Sequence, residues 1–212
     1  MSALVFVETF ENEVKQATFN ALSAAQELGT EVNALVLGKD NTSAIAALSE
    51  YGFGNIYSLE HDEFTSYRAE TFVQGIKKVV EESGAKYVVG AATTTGKDLF
   101  PRVTVAIEGS MAADIIGIEK SGDDFLYDRP AYAGNLISRV KLNRGTHVLT
   151  VRSANFDLAE KGAASSNQVN VDVSFLDSSV RAEFVELKTV KSERPELTEA
   201  SRIVSKITLK SP

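Results

Sequence analysis

The chain has 212 residues, is 43% hydrophobic and 24% charged, and carries a net charge of −7 with no cysteine. That composition suits a soluble globular protein with one sizeable core, or one domain and a fragment. It excludes a disulfide framework, a thiolate metal site and a cysteine nucleophile, while scattered basic residues on an acidic chain argue against nucleic acid and anionic membranes as partners.

Ala3-Leu4-Val5-Phe6-Val7 is a continuous apolar run, as expected of a strand covered on both faces. Val14, Ala17, Ala21, Leu22, Ala25 and Leu28 then recur at helical spacing and Gly29 supplies a stop. Val32 to Leu37 reads as a second strand, Asn41 or Thr42 as the cap of a short helix through Leu48, and Ile56 to Leu59 as a third strand. Phe72, Ile76, Val79 and Val80 mark a helix that ends near Gly84. No apolar run approaches the roughly 20 residues that span a bilayer. The chain enters its first strand without a basic leader or cleavage site, so the expected compartment is the cytoplasm.

Residues 87–103 hold the most distinctive stretch, read as strand, small-residue turn and helix. Tyr87 to Val89 favour a strand, and Gly90 to Gly96 are small or hydroxylic. Asp98 is the expected N-cap, which would place Pro101 in the first helical turn. A phosphate-binding P-loop does not fit. Its glycines bracket four residues and its lysine precedes Ser or Thr, whereas five residues separate Gly90 from Gly96, and Asp98 follows Lys97. The turn after the first strand, Glu8 to Glu13, lacks a G-x-G-x-x-G pattern and holds three carboxylates, which oppose a pyrophosphate.

Strand–helix alternation through residue 108 predicts an α/β fold, with an open, mostly parallel, Rossmann-like sheet and helices on both faces. Beyond Gly109 the runs Ile115–Ile118, Phe125–Tyr127, Leu136–Val140 and His147–Val151, with turns at Gly122-Asp123-Asp124 and Asn143-Arg144-Gly145, predict an antiparallel β extension. Residues 155–168 read as a loop, Val169 to Phe175 as a half-buried strand, and Phe184 to Leu187 as the last strand of the domain. Lys191 to Glu196 reads as a charged linker.

Few residues carry chemistry. His61 and His147 have no second ligand at metal spacing, so no metal is expected. Asp123-Asp124 reads as a solvated turn, and no serine sits in a nucleophile elbow. No catalytic residue is assigned. Tyr132 and Asn135 suit a structural or interface role, and Arg102 and Arg139 suit either subunit ion pairs or solvation.

Gly96-Lys97-Asp98-Leu99-Phe100-Pro101-Arg102-Val103 resembles a segment of electron-transfer flavoprotein alpha subunits. So do Arg129-Pro130-Ala131-Tyr132-Ala133-Gly134-Asn135, Val148-Leu149-Thr150-Val151-Arg152 and Arg194-Pro195-Glu196-Leu197, in the same order. The resemblance implies an N-terminal alpha domain over residues 1–190. Residues 191–212 would be a linker and the beginning of an FAD domain that this chain does not complete, since the Gly-Gly-Arg-Gly turn expected after Ser205 is replaced by Lys206-Ile207-Thr208-Leu209. In that family FAD is held mainly by the alpha C-terminal domain and AMP by the beta subunit, and electrons pass from dehydrogenases through FAD to a quinone reductase or another acceptor. The implied role here is a non-catalytic scaffold that docks beta and carries no cofactor itself. The implied interface residues are Lys97, Asp98, Pro101, Arg102, Tyr132 and Asn135. The first half also resembles adenine-nucleotide-hydrolase-like domains, which leaves an adenine-nucleotide-binding regulatory module as the alternative.

Overall fold

The computed structural model describes residues 1–162, 166–177, 181–188, 202 and 204. Five buried residues in a row, Ala3 to Val7, make β1 (Ser2–Val7) a strand covered on both faces. A short hairpin of β2 (Thr9–Phe10) and β3 (Glu13–Val14) leads to α1 (Gln16–Gln26), β4 (Glu31–Gly38), α2 (Thr42–Leu48) and β5 (Asn55–Glu60). Then come α3 (Ala69–Ser83), β6 (Tyr87–Ala91), α4 (Thr94–Ala106), β7 (Ser110–Ile115), β8 (Gly117–Ser121), β9 (Asp124–Ala131), β10 (Leu136–Lys141), β11 (His147–Val151) and β12 (Asn167–Asn170).

Strand geometry sends alternate side chains to opposite faces, and β1 uses this to build two cores. Ala3, Val5 and Val7 pack with Ala21, Leu22 and Ala25 of α1 and with Ala44 and Leu48 of α2. Leu4 and Phe6 pack with Phe72, Ile76 and Val79 of α3 and with Leu99, Phe100 and Val103 of α4. Each buried Val, Leu, Ile or Phe among these contributes about 1.5–3 kcal/mol. Gly84 ends α3 in the left-handed region, φ 61°, with its N–H on the Val80 carbonyl. No helix among the described residues is long and apolar enough to cross a membrane.

The seven-stranded sheet runs β12-β5-β4-β1-β6-β11-β7, and all its pairings are parallel. A separate three-stranded antiparallel sheet, β10-β9-β8, forms the expected extension. The two part at the end of β7. There Asp114 takes a left-handed φ of 57°, its N–H reaches Thr150 Oγ1 at 2.8 Å, and the pairing with β11 slips between Leu149 and Val151. That bulge turns the chain out of the main sheet and into β8.

Three expectations change. His147–Val151 is not part of the antiparallel addition but a fully buried parallel strand between β6 and β7. Val169 to Phe175 is a strand only at its start: β12 ends at Asn170, and Val171, Val173 and Phe175 pack as irregular chain on the second core. Phe184 to Leu187 forms no strand and is exposed. The expected linker and final segment, 191–212, fall outside the described residues apart from Arg202 and Val204.

Candidate functional site

Strand order reverses at β1, so the crevice at its carboxyl end is where an open α/β sheet receives ligands. Here the protein fills that place with its own carboxylate. Glu8, the residue after β1, is buried. Its Oε1 accepts from Lys15 Nζ at 2.7 Å and its Oε2 from Thr93 Oγ1 at 2.6 Å. Thr93 Oγ1 in turn accepts from Gly96 N–H at 3.0 Å, capping α4. The first-turn N–H and the nearby cation that a phosphate would use are both engaged.

The small residues of the 90–96 stretch serve packing. A Cβ on Gly90 would sit 2.2 Å from Phe100 Cζ, and one on Gly96 would sit 2.0 Å from the Ala91 carbonyl oxygen. Glycine thus lets α4 lie directly on β6. This moves the helix start, so Thr93 rather than Asp98 is the N-cap, and Pro101 lies inside the helix rather than in its first turn. Lys97, Asp98, Pro101 and Arg102 share one exposed stripe. Asp98 accepts from the Tyr67 hydroxyl at 2.7 Å and pairs with Arg102 at 3.1 Å. Those bonds, the Tyr67 hydroxyl first, hold the Asp98 carboxyl below the usual range, while burial and the carboxylate push the Tyr67 phenol up. Arg102 is therefore paired within the chain, and residues 182–186 line the same groove.

The second expected segment lies at the tip of the β9–β10 ribbon. Tyr132, Ala133 and Gly134 all have positive φ, 50°, 56° and 87°, in a one-turn helical reversal. Asn135 Nδ2 donates to the Tyr132 carbonyl at 2.8 Å and closes the turn. Non-glycine residues held left-handed cost about 1 kcal/mol or more each, which points to a functional constraint. Tyr132 is 78% exposed, and its neighbours Leu136 and Ile137 are 56% and 65% exposed. The expected interface residues fall into two groups on different elements, the Lys97–Arg102 stripe on α4 and this tip between β9 and β10. The short β-type run Leu136 to Val140 indicates a strand, but nothing in the sequence shows that its first two residues lack a cover.

The ribbon's base is anchored. Phe125 meets Tyr87 edge-on, and the buried Tyr127 hydroxyl lies 2.9 Å from His147 Nδ1. Burial, with Lys86 next, lowers the His147 pKa. On the outer face Arg139 pairs with Asp128 and Glu119 in the chain itself. Asp123 is an exposed turn residue, and Asp124 pairs with Lys141 at 2.6 Å. Among the described residues no cluster of three His, Cys, Asp or Glu could hold a metal.

Residues 3–175 match the profile of the electron transfer flavoprotein domain. Over 215 residues the chain is 32% identical to a protein of Cryptococcus neoformans var. neoformans named probable electron transfer flavoprotein subunit alpha, mitochondrial, covering 97% of this chain and 60% of that one. It is 32% identical over 211 residues to the electron transfer flavoprotein subunit alpha of Pseudomonas aeruginosa, covering 97% of this chain and 64% of that one. It is 26% identical over 205 residues to the subunit alpha of Bacillus subtilis, covering 95% and 62%. The chain thus spans between 60% and 64% of the length of these curated relatives.

Proposed function

The chain belongs to the electron transfer flavoprotein family, and from that premise we propose that it is the scaffold domain of an alpha subunit, docking a beta subunit through the tip of the β9–β10 ribbon. The observation that carries the reading is the exposed apolar end of a ribbon whose base is locked into the core, with Tyr132 at the tip, Leu136 on the inner face and Ile137 on the outer. Clustered aromatic and aliphatic side chains on a braced element are what partner surfaces use as anchors. The Lys97–Arg102 stripe is the weaker docking surface, because Asp98 and Arg102 already pair with one another.

In the assembly proposed, electrons pass from dehydrogenases through an FAD that this domain does not hold, and AMP sits in the beta subunit. The domain's own crevice argues for that division. With Glu8 engaged by Lys15 and Thr93, and with Gly90 and Gly96 closed against Phe100 and Ala91, the residues do not fit a flavin or nucleotide phosphate. The same geometry speaks against the regulatory nucleotide module. No residue here is given a catalytic role. The compartment proposed is the cytoplasm; the fungal relative's name makes that protein mitochondrial.

The test is to mix the purified full chain with the beta subunit of an electron transfer flavoprotein from the same source and follow co-elution. The expected result is a complex, and a Leu136→Asp variant that stays folded and no longer enters it. A wild-type chain that elutes alone overturns the docking role.

A further inference from the structure

The inner face of the β9–β10 ribbon continues past the core it helps to cover. Residues opposite one another in an antiparallel pair share a face, and every second residue returns to it. Tyr127 pairs with Val140 and Ile118, and these side chains join the first core. Two residues on, the same face carries Arg129 opposite Ser138, then Ala131 opposite Leu136. Tyr127 is fully buried, Arg129 and Ala131 are half-buried, and Leu136 is exposed, so cover runs out along this row. What lies past the edge is an overhang with the chemistry of a core face and one cation.

That cation is unmatched. Arg129 has no hydrogen bond or ion pair among the described residues, and its Nε is buried without an acceptor. The ribbon's strand carboxylates are already spent on the outer face and at the base, where Glu119 and Asp128 bind Arg139 and Asp124 binds Lys141. A guanidinium can also present its two Nη nitrogens end-on as a fork that matches the two oxygens of a carboxylate. The Arg129 Nη nitrogens are not among the buried atoms and have no acceptor among the described residues, so they are the side that a partner can reach.

We infer that Arg129 receives an aspartate or glutamate carboxylate from the partner protein, whose apolar surface seats against Ala131 and Leu136. This rests on the docking reading and adds the chemistry of its central contact. A free phosphate is the poorer occupant. It would meet a single available guanidinium, since Arg139 and Lys141 are held by their own carboxylates, and it would leave Leu136 uncovered.

The test uses the full chain and, as probe, the beta subunit from the same source, with binding measured calorimetrically at about 50 mM and about 500 mM salt. Arg129→Gln is expected to weaken binding roughly tenfold or more and to flatten its salt dependence. Arg129→Lys should restore part of the affinity, because it returns the charge without the fork. Ser138→Asp places a carboxylate opposite Arg129 within the same chain; it should raise the melting temperature and weaken binding. A folded Arg129→Gln variant that binds within about twofold of wild type removes the carboxylate contact while leaving docking in place. If that variant does not fold, unaltered binding by Ser138→Asp overturns the inference alone. Saturable binding of inorganic phosphate that disappears in Arg129→Gln, with beta binding unchanged, makes the site an anion site instead. A wild-type chain that fails to bind beta overturns this inference together with the docking role.

Discussion

The crevice at β1 and the overhang of the β9–β10 ribbon are two places where an α/β fold of this kind meets other molecules, and they are finished in opposite ways. In the crevice Glu8, Lys15, Thr93 and Gly96 N–H satisfy one another, and two glycines let helix and strand close without a gap. On the overhang Tyr132, Leu136 and Ile137 lie in solvent and Arg129 Nε has no acceptor. A region whose polar groups are all paired internally gains little from a ligand. One that leaves apolar area uncovered and a guanidinium unpaired gains on association. Changes in the crevice should therefore alter stability and spare binding, while changes on the overhang should do the reverse.

The largest effect is expected under the crevice. Phe100 is fully buried against Gly90 and meets Phe6 edge-on. Phe100→Ala should lower unfolding stability by about 4 kcal/mol in denaturant titration, with partner affinity unchanged under conditions where the variant stays folded. A large affinity loss in the folded variant would merge the two regions. Next comes Tyr132→Ala on the overhang, expected to cost about 2 kcal/mol in binding by calorimetry and little in melting temperature. Glu8→Gln follows, with a stability loss of about 1.5 kcal/mol from its weakened charged hydrogen bonds. It should bind beta as wild type does. Saturable AMP binding by the wild-type chain would show that the crevice is open after all.

His147 begins β11 at the amino end of the sheet, away from the crevice, and its contact with Tyr127 makes the ribbon's anchor depend on pH. Burial lowers its folded-state pKa below the unfolded value of 6.5, so the folded protein prefers the neutral ring. As pH falls below 6.5 the unfolded chain takes up the proton first, and stability is lost until the folded pKa is passed. Above that range the contribution is fully present. Unfolding titrations between about pH 7 and pH 5 should show a steeper loss for wild type than for His147→Gln. Equal slopes would mean that the buried ring carries no proton linkage.

Much of the fold was legible. Ala3 to Val7 could only be a buried strand, and Phe72, Ile76, Val79 and Val80 could only face one way on a helix. What was hidden depends on contacts distant in sequence. His147–Val151 reads identically whether it pairs parallel or antiparallel, and its insertion between β6 and β7 is set by their edges rather than by its own residues. Thr93 and Asp98 are both good caps; the close approach of Gly96 to the Ala91 carbonyl decides for Thr93. Pro101 suited a first turn on its own residue type, but once Thr93 is the cap it lies inside the helix, where it gives up one backbone bond. Of the site, the Arg129–Asn135 segment stood out in the sequence, but the unmatched Nε and the uncovered Leu136 exist only once the ribbon overhangs the core.

The smallest expected effect separates the two candidate docking surfaces. Arg102 and Tyr132 were equal candidates in the sequence, and the structure makes them unequal. Arg102 is exposed, bonded to Asp98 through both Nε and Nη2 at 3.2 and 3.1 Å, and flanked by the chain's own residues 182–186. A partner that used it would first have to displace Asp98, which the Tyr67 hydroxyl also holds. An exposed pair one helical turn apart contributes less than about 0.5 kcal/mol, so Arg102→Ala should leave both unfolding stability and partner affinity within that margin. Calorimetry of Arg102→Ala beside Tyr132→Ala, on chains with matching melting curves, decides the matter. A loss at Arg102 as large as that at Tyr132 would extend the interface from the ribbon onto α4 and end the contrast between a closed crevice side and an open overhang.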